Sequence, residues 1–213
     1  MLDQSQFEPL ADAELAGDLS PLIEQIGLPA GLGALAAAAD PLLAPRIHSL
    51  PTLRDFLKHY HAEILQPFEL PAIQRAFQHA ARNEARELLA FDAALGGEPQ
   101  LKPFASASRL VGQSQLLRLR PLRDQRLVQR YIAAVDAGQA QGWHTLVYGL
   151  TLAVYSLPLR QGLLSYARQT SRGFIQSASR SLALSPAEAN VLLDELCAGL
   201  PAAIEATVAQ SFA

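Results

Sequence analysis

Apolar residues recur along this chain at intervals of three and four, the spacing of one buried helix face, and period-two alternation is scarce. Leu53, Phe56, Leu57, Tyr60 and Ile64 form one such stripe over 53–65, and Ala72, Ile73, Ala76, Phe77 and Ala80 form a second. Pro67 and Pro71 fall between them and predict a turn there. Asn83 reads as the N-cap of a helix running from Glu84 to Leu95, with Gly96-Gly97 as its stop. The stretch 94–103 reads as the clearest loop, dividing an N-terminal from a C-terminal group of helices. Beyond it the pattern predicts helices at about 104–119, 122–137, 141–156, 159–182 with a break near Gly173, 186–198 and 201–211. Leu157-Pro158 and Ser185-Pro186-Ala187-Glu188 mark two of these starts. Proline suits a first helical turn because its missing N–H has no partner to lose there, and the Ser-x-x-Glu spacing has the form of a capping box.

Upstream, Ser20-Pro21 opens a short helix over Leu22–Ile26, and Gly31–Ala39 is a small-residue helical segment; prolines 41, 45 and 51 delay the next helix to about Thr52. Residues 1–19 are acidic with few large apolar side chains and are expected to be mobile or loosely attached. The expectation is an all-α protein, with residues 20–213 forming a single globular bundle of about ten helices. Alanine and leucine dominate a chain that is 50% hydrophobic, which agrees with helices rather than sheets.

Charge narrows the function classes. A net charge of −3 gives no field for a nucleic-acid platform, so no nucleic-acid partner is expected. Arg118, Arg120, Arg123, Arg126 and Arg130 still cluster locally, as a solvated face or as a surface for an acidic partner. Cys197 is the one cysteine, which leaves no internal disulfide and fits a cytoplasmic location; in an apolar helix it reads as a small buried hydrophobe. The N-terminus lacks the basic start and apolar core of a signal peptide. The longest apolar stretch, Thr145–Leu157, is shorter than a membrane span, so no membrane association is expected.

No nucleophile elbow, phosphate-binding glycine loop or zinc-protease helix is present, and the chain is expected not to be an enzyme. His59 and Glu63, four apart, are the best-spaced metal-ligand pair, and His144 is a lone histidine beside Trp143 at a helix start. Two ligands without a third are unspecific, so these are weak candidates and no metal site is expected. Arg180 sits near the end of a predicted helix, where a cation suits the dipole; it reads either as an intramolecular partner of that helix end or as an external contact. Tyr148 and Tyr166 are amphipathic aromatics of the kind that anchor both cores and interfaces.

Three blocks, in order, carry a resemblance. The first is Glu69-Leu70-Pro71-Ala72 followed by Ala80-Ala81-Arg82-Asn83-Glu84 and Leu88-Leu89-Ala90-Phe91-Asp92. The second is Ser108, Gly112 and Leu116-Leu117-Arg118-Leu119. The third is Tyr148-Gly149, Leu164-Ser165-Tyr166, Gly173, Ser177-Ala178, Arg180, Leu184 and Leu192-Leu193. Together they resemble the UreF family of urease accessory proteins over roughly residues 50–210. The family's N-terminal signature is replaced by Leu28-Pro29-Ala30-Gly31 and an alanine run, and its Pro-Leu-Gly-Gln-Thr step by Ala183-Leu184-Ser185-Pro186-Ala187. The resemblance implies a helical, non-enzymatic homodimer that binds a UreD/UreH-type accessory protein, recruits a UreG-type GTPase and serves apo-urease. No cofactor would be tightly bound, and nickel enters only through the pathway. Arg180, Tyr148, Tyr166 and Arg109 are the partner-contact candidates on this reading. The alternative is a helical scaffold of the same fold with changed partners and no part in nickel handling.

Overall fold

The structure is a computed structural model and describes residues 46–210; the segments read at 1–19, Leu22–Ile26 and Gly31–Ala39 lie outside it. Among the described residues every regular element is helical: α1 (Leu50–Tyr60), a π-helical segment (His61–Glu69), α2 (Leu70–Ala81), α3 (Ala85–Leu95), a 3₁₀ segment (Pro99–Phe104), α4 (Ala105–Leu119), α5 (Arg126–Asp136), α6 (His144–Val154), α7 (Leu159–Leu182), α8 (Pro186–Cys197) and α9 (Leu200–Gln210). The all-α expectation holds.

Ser49 starts α1 by exchanging bonds with Thr52: its Oγ accepts the Thr52 amide at 3.4 Å, and its own amide donates to Thr52 Oγ1 at 2.9 Å. The predicted stripe is buried as read, with Leu53, Phe56, Leu57 and Ile64 fully enclosed and Tyr60 nearly so. The turn predicted at Pro67 and Pro71 does not occur. The chain stays helical from Leu50 to Ala81 because it widens into a π-helix over His61–Glu69, where the Leu70 amide reaches back five residues to the Leu65 carbonyl. Pro67 is thereby carried inside the helix, and Pro71 falls in the first turn of α2.

Asn83 is not an N-cap. It takes a left-handed conformation (φ 58°), which asparagine tolerates better than most residues, and so terminates α2; Glu84 precedes α3 instead. The predicted break at Gly173 is also absent, and α7 runs unbroken for 24 residues. It ends at Ala183 in the left-handed region (φ 52°). The capping box predicted at Ser185 is present. Ser185 Oγ accepts from the Glu188 amide at 3.2 Å, and the Ser185 amide donates to Glu188 Oε2 at 2.9 Å.

The helices form one packed arrangement across the 94–103 stretch, which contains the 3₁₀ segment and does not divide the core. α2 and α6 share the most extensive contact, α4 covers α6 from another side, and α8 and α9 lie on α7. Gly149 explains why α2 and α6 come so close. A methyl at this position would lie 2.9 Å from Ala76 Cβ and 3.1 Å from the Phe77 amide nitrogen, and would press on the Ile73 carbonyl. Gly112 plays the same part in α4, against the Gly142 carbonyl and the His144 amide, the latter 2.8 Å from the position a methyl would take.

Candidate functional site

α6 is buried along most of its length, and several of the core's polar residues lie on it or against it. His144, Tyr148 and Tyr166 are all buried, with ring centroids 6.0 Å apart for His144–Tyr148, 5.3 Å for His144–Tyr166 and 5.3 Å for Tyr148–Tyr166. The Tyr148 hydroxyl donates to the Gly162 carbonyl at 3.0 Å and so ties α6 to α7. The Gln115 amide nitrogen of α4 lies 3.2 Å from His144 Nε2, and the His144 amide donates to Ser108 Oγ at 3.2 Å.

This cluster continues into the π-helical segment. The Tyr60 hydroxyl donates to Glu69 Oε2 at 2.6 Å, and the Tyr166 hydroxyl of α7 lies near the same carboxyl. Glu69 keeps some exposed stem, but its carboxyl is enclosed by protein. Burial pushes it up to about 7 against the partial relief of the two tyrosine hydroxyls. At the other end of the segment, His61 Nε2 lies 2.7 Å from Ser171 Oγ. The Ser171 hydroxyl donates to the Ala167 carbonyl at 2.8 Å, so its oxygen is left to accept from the histidine N–H. Burial lowers His61 to about 4 and keeps it neutral near pH 7. The wide helix is thus pinned to α7 at both ends by titratable groups.

A second buried acid orders the approach to α6. Asp92, fully enclosed, accepts from the Tyr131 hydroxyl at 2.6 Å, the Gln141 amide at 2.6 Å and the Gly142 amide at 3.1 Å. It joins α3, α5 and the 137–143 loop through one carboxylate. Three such bonds offset much of the cost of burying the charge.

The site candidates read from the sequence divide by exposure. Tyr148 and Tyr166 face the core, where they brace α6 and α7 and present no surface to a partner. Arg109 is partly exposed. Its Nη1 donates to Gln141 Oε1 at 2.6 Å, its Nε to the Ala105 carbonyl at 3.2 Å, and it stands between two open clefts of about 490 and 410 Å³. Arg180 lies in the last turns of α7, and its side chain is outside the described residues. His59 bonds the Asp55 carbonyl on its own helix at 2.7 Å, Glu63 is exposed, and His144 sits deep among the tyrosines, so the three weak metal candidates do not converge. Among the described residues no three His, Cys, Asp or Glu side chains are grouped to hold a metal ion.

Two large apolar side chains of α4 lie at the surface. Leu110 and Leu117, seven apart on α4, are 43% and 60% exposed, while Val111, Leu116 and Leu119 of the same helix are buried. Their signal in the sequence is that α4 carries more apolar residues than one buried stripe can hold. No described helix is long and apolar enough to cross a membrane.

No curated protein matches the chain. The UreF family model matches residues 47–197, which spans the π-helical segment, the tyrosine cluster, the Asp92 clamp and both close-approach glycines. The chain belongs to the UreF family.

Proposed function

We propose that this chain is an assembly chaperone of urease maturation. On this reading it works in the cytoplasm as a homodimer, binds a UreD/UreH-type accessory protein, recruits or regulates a UreG-type GTPase, and so assists nickel insertion into apo-urease. Family membership over residues 47–197 carries the reading, because UreF proteins are non-enzymatic urease accessory proteins; the chain is therefore not an enzyme. Its contribution is positional. Nickel is cargo handled by the complex, and no tightly bound cofactor is required of this chain.

The fold supports such a role through a rigid interior and a surface available for contact. Polar groups braced around α6 hold the frame, while Arg109 and the exposed leucines of α4 lie where a partner can reach them. Arg180, near the end of α7, is the further contact candidate. A second reading, a scaffold of this fold with changed partners, draws on the Ser185 capping box that stands where the family has its glycine-glutamine turn.

Co-expression separates the two. The chain is produced with urease subunits, a UreD/UreH-type protein and a UreG-type GTPase, and each is assayed in a pull-down on this chain. Urease activity after nickel addition is measured with and without the chain. Retention of both accessory proteins, together with urease activation that depends on this chain, supports the first reading. Retention of neither, with activation unchanged by its omission, overturns it.

A further inference from the structure

The hairpin between α4 and α5 concentrates cations. Arg123, Arg126 and Arg130 are exposed and form no salt bridge among the described residues, and Arg120 pairs with Asp136 at 2.6 Å. Asp124 is the one acid between Arg118 and Arg130. The turn is held in place: Gln129 Nε2 donates to the Arg120 carbonyl at 3.3 Å and the Leu122 carbonyl at 3.0 Å, so the arginines project from a fixed backbone. Leu117, 60% exposed, is an apolar side chain in the last turn of α4, just before the hairpin.

The start of α5 adds an independent observation. No side chain caps it, its first turn holds no acid, and Arg126 occupies its first position. A helix N-terminus carries partial positive charge, so a cation there is unfavourable and an incoming carboxylate is favoured twice over.

The rest of the chain supplies such a carboxylate source. Residues 1–45 contain seven acids and no lysine or arginine, whereas residues 46–210 hold all seventeen lysines and arginines against thirteen acids. Within 1–20, Asp3, Glu8, Asp12, Glu14 and Asp18 alternate with Phe7, Leu10 and Leu15. That is an acidic, amphiphilic sequence matched in both charge and apolar content to the hairpin. The 25 residues from 21 to 45 can span about 80 Å when extended, against a diameter of about 40 Å for a domain of this size, so reach does not limit the contact.

We infer that the acidic segment 1–20 docks in the same molecule on the arginines of the α4–α5 hairpin. This goes beyond the urease reading and does not depend on it.

The test uses the full-length, isotope-enriched chain with a nitroxide at a cysteine introduced by Gln4→Cys in a Cys197→Ala background. Amide signals of residues 118–130 are read for paramagnetic broadening. Selective broadening of the hairpin is expected at low ionic strength. It should fall several-fold in about 0.5 M salt, where the Debye length drops to about 4 Å. It should also fall in Arg123→Glu/Arg126→Glu/Arg130→Glu, and return when that variant is combined with Asp12→Lys/Glu14→Lys/Asp18→Lys. The salt comparison needs no substitution in the hairpin and stands even if the triple variant folds poorly. Absent broadening, broadening spread evenly over the surface, or broadening insensitive to salt overturns the proposal. Broadening that persists when a labelled unenriched chain is mixed with an unlabelled enriched one assigns the contact to a second copy and overturns docking within one molecule.

Discussion

Gly149 shows how a single missing side chain sets the architecture. The α2–α6 contact leaves no room for a methyl there, and neither the Ile73 carbonyl nor the Phe77 amide can yield without moving α2. Gly199, between α8 and α9, has nothing within 4 Å of where its methyl would be. The same substitution should therefore act in opposite directions. Gly149→Ala is expected to destabilise by about 1–3 kcal/mol, since overpacking outweighs the helix-propensity gain of about 1 kcal/mol. Gly199→Ala is expected to be neutral or to stabilise by up to about 1 kcal/mol by restricting the unfolded chain. Urea midpoints of the two variants check this, and equal shifts would refute the close-approach role. Both glycines were visible in the sequence. Only the one in the Tyr-Gly step meets another backbone, that of α2, more than seventy residues away.

At the scale of elements, the π-helical segment is the feature with consequences for pH. Glu69 is raised from 4.5 to about 7 and His61 lowered from 6.5 to about 4, in both cases because burial disfavours the charged form. Between about pH 4.5 and 7 the folded Glu69 holds a proton that the unfolded chain has released, so its contribution to stability falls as pH rises. Between about pH 4 and 6.5 the unfolded His61 holds a proton that the folded one lacks, so its contribution rises with pH. The two slopes oppose each other over most of that window, each worth about 3 kcal/mol across its range. Glu69→Gln, which keeps an acceptor for the Tyr60 hydroxyl and abolishes the charge, should expose the His61 slope. Its stability should climb from pH 4.5 to 6.5 and then stay level, and its advantage over the wild type should be greatest near pH 8. Denaturant unfolding at pH 5 and pH 8 measures this; an advantage independent of pH would show that the carboxyl is not buried as described. The apolar stripe over 53–65 was legible because burial on one face leaves a helical period. The π-turn was not, since two prolines four residues apart signal a break, and nothing local reveals that His61 meets Ser171 of α7 or that the Tyr60 ring packs on Phe174.

Across the whole molecule, the order of helices could be read because each has its own caps and period, but their partners could not. The 94–103 stretch looked like a division, yet α2 on one side of it and α6 on the other make the central contact. Likewise, Tyr148 and Tyr166 had the chemistry of interface anchors, and which side of α6 and α7 faced inward was decided by helices distant in sequence. That central packing predicts a gradient of local stability. α6 buries His144 through Leu150 without interruption, together with Leu152, and α4 and α2 cover it, while α8 buries only Leu192, Leu193 and Leu196. Regions with few buried contacts open without global unfolding, whereas amides inside the core exchange only when the whole domain opens. Native-state hydrogen exchange should place α2 and α6 amides at the global unfolding free energy, and α8 amides below it. The α6 values should track denaturant with the full slope of unfolding and fall in parallel in Gly149→Ala, while those of α8 should change little until global opening takes over. If α8 proved as protected as α6, stability would not be centred on the α2–α6 contact, and the outer helices would have to be counted as part of the frame rather than as elements laid on it.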